Sequence, residues 1–488
     1  RVSWVVPRIF KCQFVPSVNL TAGTFLLYKY TGIDRRDTMK NKLSTGISVA
    51  LLVGTVIILA TGVIGFGLTP IAPILLVVGM IMVVARLYGV SWQASQKALI
   101  TGVESGLTPL FLFLLIGALI ALWLATGVIP TMIWVGFKIL TPTFFLPTAL
   151  ITTSIIGTLI GSAFTTLSTV GVALMGVGTL MGINPALVAG VVLSGAIFGD
   201  KNSPLSDSTN LASAISETDL FAHIKNLMWT TIPAWVLTFI VTIFLSFGHH
   251  ADAHATQKIA SLLPLLTPTW WTIVPLGLLV VTAWFKIPAI PSLMINVLVS
   301  SMMFLTQHSI SAWSKLLVDG FQTTSTNATL IALLNRGGMS AMMSTSMMIM
   351  LALALGGLLS GLGILNTVMA PIVSHLRTQR SIVLATLLTG VGANFLVGEQ
   401  YLATILPGQL FKDSFKRANL SPLALGRTVE DSGTVMNYLV PWGVAGAFTA
   451  QTLGVPVLEF APYTLFALLS PVMSIFSAVT GIGLRQAK

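Results

Sequence analysis

Between residues 43 and 482 the chain is a succession of apolar runs almost empty of charge, several of them near 20 residues long: 43–66, 70–88, 108–127, 227–247, 341–361, 432–453 and 462–482. A run of that length, wound as a helix, crosses the hydrocarbon core of a bilayer, and only helices and closed barrels satisfy their own backbone there. With 55% hydrophobic and 8% charged residues the chain lacks the charge to cover a water-soluble surface. The expected fold is all-α, a polytopic membrane protein. Other runs, among them 129–140, 186–199, 326–335, 364–376 and 401–411, are too short to cross alone. Short or Gly/Pro-interrupted segments in such a chain point to discontinuous helices or hairpins lining a polar cavity, so about 10–13 membrane elements are expected.

The net charge of +11 sits mostly between the apolar runs. There Lys and Arg orient the chain, and Lys40, Lys42, Arg86, Lys97, Lys412, Lys416 and Arg417 favour the cytoplasmic side. The expected location is a bacterial-type cytoplasmic membrane, with the start at Met39 inside. No basic patch interleaved with aromatics is present, which argues against nucleic acid as a partner. The lone Cys12 excludes an internal disulfide and a cysteine metal site. No G-x-x-x-x-G-K-[ST] loop occurs, so ATP does not drive this chain by itself. No cofactor is expected and no enzyme activity; a homodimer is compatible with this class. Residues 1–38 read as an upstream extension or disordered tail, since Arg35, Arg36 and Asp37 before Thr38-Met39 fit codons resembling a ribosome-binding sequence.

Internal similarity divides the remainder. "WQASQKALITG" from Trp92 resembles "SISAWSKLLVDG" from Ser309; "GVIPTMI" from Gly127 resembles "GILNTVM" from Gly363; "GSAF" from Gly161 resembles "GANF" from Gly392; and Asp200 falls opposite Asp431. Four matches in one order predict a duplicated unit, 39–247 and 270–488, joined by the polar stretch 248–269. Inverted repeats are the expected arrangement, because they place a paired site at the membrane midplane.

Of the fourteen acids, Asp200, Asp207, Glu399, Glu430 and Asp431 lie inside or against apolar segments. A carboxylate near the membrane interior costs about 2.5–3.5 kcal/mol on insertion scales and persists with a partner, an ion or a role. Asp200 and Asp207 belong to "GDKNSPLSDSTNLAS", where Pro204 is expected to break the helix and free backbone carbonyls, and where Asp207 and Asn210 stand one turn apart. Carboxylate, amide, hydroxyl and carbonyl oxygens suit a small alkali cation, and a carboxylate drawn out of water also carries a proton more readily. Na⁺ is therefore expected at Asp207 and Asn210, in competition with H⁺. The plainer alternative is that Lys201 pairs with Asp200 or Asp207 and pins a helix end. Ser162, Thr165 and Thr166 in "GSAFTTLSTVG", with Asn394 and Gln400 in "GANFLVGEQYLATILPG", read either as cavity lining or as polar glue between helices.

These stretches, together with "EDSGTVMNYLVPWGVAGAFTAQTLGV" from Glu430 and "APYTLFALLSP" from Ala461, resemble the NhaC-type Na⁺/H⁺ antiporter family over essentially Met39 to the C-terminus. The resemblance implies an ion transporter built from inverted repeats, in a family that includes exchangers of malate for lactate and Na⁺. It implies further that Asp200, Ser203, Ser206, Asp207, Thr209 and Asn210, with Glu430, Asp431, Ser432 and Thr434, line the ion path. The chain departs from the family pattern at Glu399, usually Asn, at Phe164, usually Trp, and at Gly443 to Ala445, usually Asn-Thr-Cys. The expected function is secondary exchange of Na⁺ for H⁺ by alternating access, with malate/lactate exchange coupled to both ions as the alternative. An aspartyl hydrolase built on Asp200 and Asp207 is a remote third reading, given the proline between them.

Other features carry less. "HHADAH" from His249 reads as a solvated linker ahead of a metal site, and His223, His308 and His375 as interfacial packing. The methionines in Met339 to Met350 read as apolar filling. Arg336 either counters an acid or a carboxylate substrate or marks a loop.

Overall fold

The computed structural model describes residues 43–140, 142–247, 268–285, 287–325, 331 and 334–484. Cys12, the expected start at Met39, Lys40 and Lys42 lie outside the described residues, as do "HHADAH" and nearly all of the expected linker. Among the described residues every extended element is a helix.

The first half runs α1 (Thr45–Ala60), α2 (Ile71–Leu87), α3 (Trp92–Ser105), α4 (Leu107–Ala125), α5 (Val128–Ile139), α6 (Phe145–Ile160), α7 (Ala163–Leu180), α8 (Pro185–Asn202), α9 (Asp207–Ile215) and α10 (Leu220–Phe247). The second runs α11 (Ile273–Trp284), α12 (Ala289–Leu305), α13 (Ile310–Asp319), α14 (Met339–Gly361), α15 (Ile364–His375), α16 (Gln379–Val397), α17 (Gln400–Arg417), α18 (Pro422–Val429), α19 (Val444–Leu453) and α20 (Leu465–Thr480). Among the described residues six helices can cross a membrane alone by length and composition, α1 (extended to Val63), α4, α7, α10, α14 and α16; α19 with the turn Val457–Tyr463, bent by 90°, makes a seventh. Shorter apolar helices, among them α2, α6, α12 and α20, accompany them, α2 and α20 falling on runs expected to be near 20 residues long. The protein is multi-pass. Large side chains such as Leu76, Phe244, Trp284 and Phe476 are exposed on the outside, where lipid replaces water.

Small residues let the central helices approach. A Cβ on Gly199 of α8 would fall 2.5 Å from the Gly157 carbonyl carbon of α6, and one on Gly195 would fall 2.5 Å from the Leu150 carbonyl oxygen. Gly102 of α3 and Gly357 of α14 face each other equally closely. Without a hydrophobic drive between helices in lipid, such backbone contact supplies the packing energy. Buried polar pairs add register: Trp123 Nε1 donates to Asn296 Oδ1 at 3.0 Å, joining α4 to α12.

Contacts between the halves are reciprocal. Helix α3 packs along α14 and α13 along α4; α2 packs on α14 and α12 on α4; α10 packs on α6 and α18, while α20 packs on α16 and α8. Local geometry agrees. Gly161 ends α6 and Gly398 ends α16, each at φ +72°, a conformation glycine adopts without steric cost. The next residues, Ser162 and Glu399, each cap the following helix, and Pro185 and Pro422 each open the helix after that. Both the glycine pair and the proline pair lie 237 positions apart, against 231 for the sequence match of Gly161 with Gly392.

Candidate functional site

The stretch "GDKNSPLSDSTNLAS" breaks the helix where Pro204 predicts. Helix α8 stops at Asn202, Ser203 turns extended, and α9 restarts at Asp207 behind the N-cap Ser206, whose hydroxyl accepts from the Thr209 amide. The carbonyls freed by the break are recaptured locally. Asn210 Nδ2 donates to the Pro204 carbonyl at 3.0 Å and to the Ser206 carbonyl at 2.7 Å, and Thr209 Oγ1 lies 3.0 Å from the Lys201 carbonyl. Asn210 therefore braces the break, and it is Asp207 that faces the adjoining cavity.

That cavity has a volume of about 340 Å³ and is walled by both halves: α4, α8, α9 and the entries to α7 and α12 from the first and second, with α17 and α19. Three carboxylates line it, Asp200, Asp207 and Glu399, and among the described residues no Lys or Arg joins them. Each acid meets the start of a helix, its own or a neighbour's. Glu399 Oε2 accepts from the Leu402 amide at 2.7 Å as the N-cap of α17. Asp207 is the first residue of α9. Asp200 meets the Ser206 hydroxyl and the backbone N–H of Ala163, the first residue of α7. Free amides and the positive end of the macrodipole compensate part of each charge, by roughly 0.3–1 kcal/mol per terminus.

Neutral oxygens complete the lining. Ser162, Thr165, Ser208 and Gln400 reach the cavity, and Gln400 Oε1, buried, has no hydrogen-bond partner. In α7 the serine and threonine hydroxyls also turn back on the helix: Ser168 and Thr169 donate to the Thr165 carbonyl, and the next turn widens to π-helical geometry over Leu167–Gly171. Thr166 donates to the Ser162 carbonyl and does not line the cavity. Among the described residues no three acids, histidines or cysteines gather to hold one metal ion. A cation here takes its oxygens from one or two carboxylates together with hydroxyl and amide groups.

Glu430 and Asp431 lie behind the cavity and are fully buried. Helix α18 widens at these residues into a π-helical turn, Glu430–Thr434, and continues as a 3-10 turn, Val435–Leu439. Asp431 is ion-paired with Lys201, accepts from Ser470 and Ser474 at 2.7 Å each, and lies 3.3 Å from Thr230 Oγ1. Glu430 takes His223 Nε2 at 2.7 Å and lies 2.9 Å from Thr209 Oγ1. Lys201 thus pairs across the halves, not with Asp200 or Asp207. Asn394 binds the carbonyls of Ser432 and Gly433 at 2.9 Å and receives Asn437 Nδ2 at 2.9 Å, which satisfies the widened backbone in the absence of water. Ser432 Oγ turns to the Thr428 carbonyl, Thr434 Oγ1 is buried without a partner, and Ser203 Oγ accepts from the Leu205 amide. Of the expected residues, the cavity gathers Asp200, Asp207, Glu399, Ser162, Thr165 and Gln400; most of the others surround the Pro204 break and the π-turn at Glu430–Thr434, and Thr166 stays within α7.

The profile of the Na⁺/H⁺ antiporter family matches residues 35–209 and 195–482, nearly the whole chain. This protein belongs to the Na⁺/H⁺ antiporter family. Among its relatives is the Na⁺/H⁺ antiporter NhaC of Alkalihalophilus pseudofirmus, 36% identical over 455 residues, 92% of this chain and 98% of that protein. NhaC of Bacillus subtilis is 36% identical over 89% of this chain and 98% of its own length. The malate-2H⁺/Na⁺-lactate antiporter of Bacillus subtilis is 32% identical over 80% of this chain and 85% of its own.

Several groups of this antiporter-family site carry no signal in the sequence. Tyr401 lines the cavity, and Tyr438, buried with its hydroxyl unpartnered, packs beside Phe164. His223 and Lys201 find their acids more than 200 residues away. Only a buried-charge argument applied to Lys201, which closely follows the apolar run 186–198, would have asked for a distant partner.

Proposed function

We propose that this protein is a secondary active antiporter of the cytoplasmic membrane that exchanges Na⁺ for H⁺, with its N-terminus inside and its two halves related as inverted repeats. The observation that carries the reading is the cavity that gathers the three carboxylates Asp200, Asp207 and Glu399. A polar chamber holding three acids against helix N-termini attracts a cation or a proton more readily than an organic anion. Na⁺ binds at Asp207 with Asp200 or Glu399 and nearby oxygens such as Gln400 Oε1; the carboxylates that take it release protons as they do so. Because one set of oxygens serves both ions, carrying the site from one face to the other exchanges them without further machinery.

The reciprocal packing of the halves and the matched turns at Gly161 and Gly398 support the repeat. The relatives named Na⁺/H⁺ antiporter support the ions. The malate/lactate relative keeps an organic co-substrate as the second reading, and a cavity of about 340 Å³ is large enough for a small dicarboxylate.

The test is internal pH in proteoliposomes holding the full chain, after an external Na⁺ pulse, with and without lactate inside and malate outside. Internal alkalinisation by Na⁺ alone, as Na⁺ enters and H⁺ leaves, is the expected result, lost in Asp207→Asn. A response confined to vesicles containing the organic acids would make the carboxylate the cargo.

A further inference from the structure

We propose that Phe113, Phe164 and Phe448 form the closed gate of the ion path, and that a second cavity beyond them is the vestibule opening to the opposite membrane face; that the gated cargo is Na⁺ rests on the antiport reading above.

The second cavity has a volume of about 380 Å³ and a polar wall: Asp319, Gln322, Asn335, Arg336, Gln451 and Thr452. Thr452 Oγ1 is buried without a hydrogen-bond partner, and Arg336 Nη1 donates at 3.1 Å to the Leu453 carbonyl at the end of α19. Two helices run from one cavity to the other. On α19, Val444 lines the first cavity and Ala450 to Thr452 line the second. On α4, Thr108, Pro109 and Leu112 line the first and Ile120 the second. At 1.5 Å per residue, the layer between Leu112 and Ile120 is about 12 Å thick, and that between Val444 and Gln451 about 10 Å.

Aromatic rings stand in that layer. Phe113 of α4 and Phe448 of α19 meet edge to face at 5.0 Å, and Phe448 meets Phe164, which lines the first cavity, at 4.7 Å. Tyr438 backs Phe164 at 6.0 Å. Phe113 and Phe448 are each 1% exposed. A packed aromatic layer has no room for a hydration shell and no oxygen to replace it, so a cation in the acidic cavity stops there. Moving Phe164, which belongs to α7, away from Phe448 of α19 joins the two chambers.

The experiment uses the full chain carrying Cys12→Ser with either Ala289→Cys, in the wall of the first cavity, or Ala450→Cys, in the wall of the second. A membrane-impermeant maleimide is applied in Na⁺-free buffer to intact cells and to inside-out vesicles. Each cysteine is expected to react from one face only, and the two from opposite faces. Reaction of both from the same face, or of Ala450→Cys from neither, overturns the proposal. Adding Phe448→Ala is expected to make labelling two-sided, while Phe448→Leu keeps it one-sided. One-sided labelling in inserted Phe448→Ala protein removes the gate assignment, and if that variant fails to insert, the two single cysteines still decide. One-sided labelling in a chain that shows no Na⁺-driven pH change keeps the gate and rejects the cargo; the converse pair of results does the reverse.

Discussion

The difference between Asp207 and Asp431 is a difference of partners. Asp431 is held by a lysine and two serine hydroxyls in a buried knot, and Asp207 faces the chamber that it shares with Asp200 and Glu399. Their substitutions are expected to fail in different ways. Asp207→Asn keeps the size and the hydrogen-bonding capacity of the side chain but cannot ionise, so inserted, folded protein should lose Na⁺-driven pH change entirely. Retained exchange would remove Asp207 from the ion path. Lys201→Met, by contrast, strands a buried carboxylate, and breaking such a pair costs about 3–5 kcal/mol. A marked fall in the melting temperature of the purified protein is expected, with recovery when Asp431→Leu is added; a single mutant as stable as the parent would mean that the pair does not hold the core. Glu399 belongs with Asp207, since it lines the cavity, and Glu399→Gln should weaken Na⁺ dependence while its amide oxygen still caps α17.

At the scale of elements, the site is made by interruption. Helices α8 and α9 are separated by Pro204, α6 and α16 end at glycines with positive φ, and α18 loosens into a π-helical turn at Glu430–Thr434. Each interruption leaves unpaired backbone at membrane depth, and each is closed by a short side chain: Ser162, Ser206 and Glu399 at the new N-termini, Asn210 at the Pro204 break, Asn394 at the π-turn. Ser206→Ala removes one cap and should cost about 1 kcal/mol, read as a small drop in melting temperature. The same change should weaken Na⁺ dependence, because the Ser206 hydroxyl also meets Asp200. Gly199→Val acts where α8 touches α6 backbone to backbone, and overpacking of this kind costs about 1–3 kcal/mol. Sharply reduced yield of inserted protein is the expected outcome, and normal yield would show that the two helices can part without loss.

For the whole molecule, reciprocal contacts between the halves make the cavity a joint product: α8 and α9 supply Asp200 and Asp207, and the start of α17 supplies Glu399. Competition between ions follows from that shared chamber. Where a proton and Na⁺ compete for one carboxylate, the proton occupies it at low pH and leaves as pH rises. The Na⁺ concentration giving half-maximal exchange should therefore fall with rising pH, by up to about tenfold per unit in the regime where the proton still dominates, and level off above it. Half-saturation independent of pH across the series would mean that the two ions use separate groups.

The apolar runs by themselves determined an all-α, multi-pass protein, because a chain with so little charge has no other way to satisfy its backbone in lipid. Pro204 marked one helix break, and five isolated acids marked the region of the site, because both features are local and costly without a reason. Sequence could not sort those acids. Asp207 and Asp431 look alike in one dimension, and what separates them is whether Lys201, Ser470 and Ser474 stand within reach, which depends on how α8, α18 and α20 cross. The same holds for His223 beside Glu430 and for the aromatic layer joining α4, α7 and α19. Only the tertiary structure decided these, because a buried charge is defined by its neighbours, and here Lys201 and His223 reach their acids from the other half of the chain.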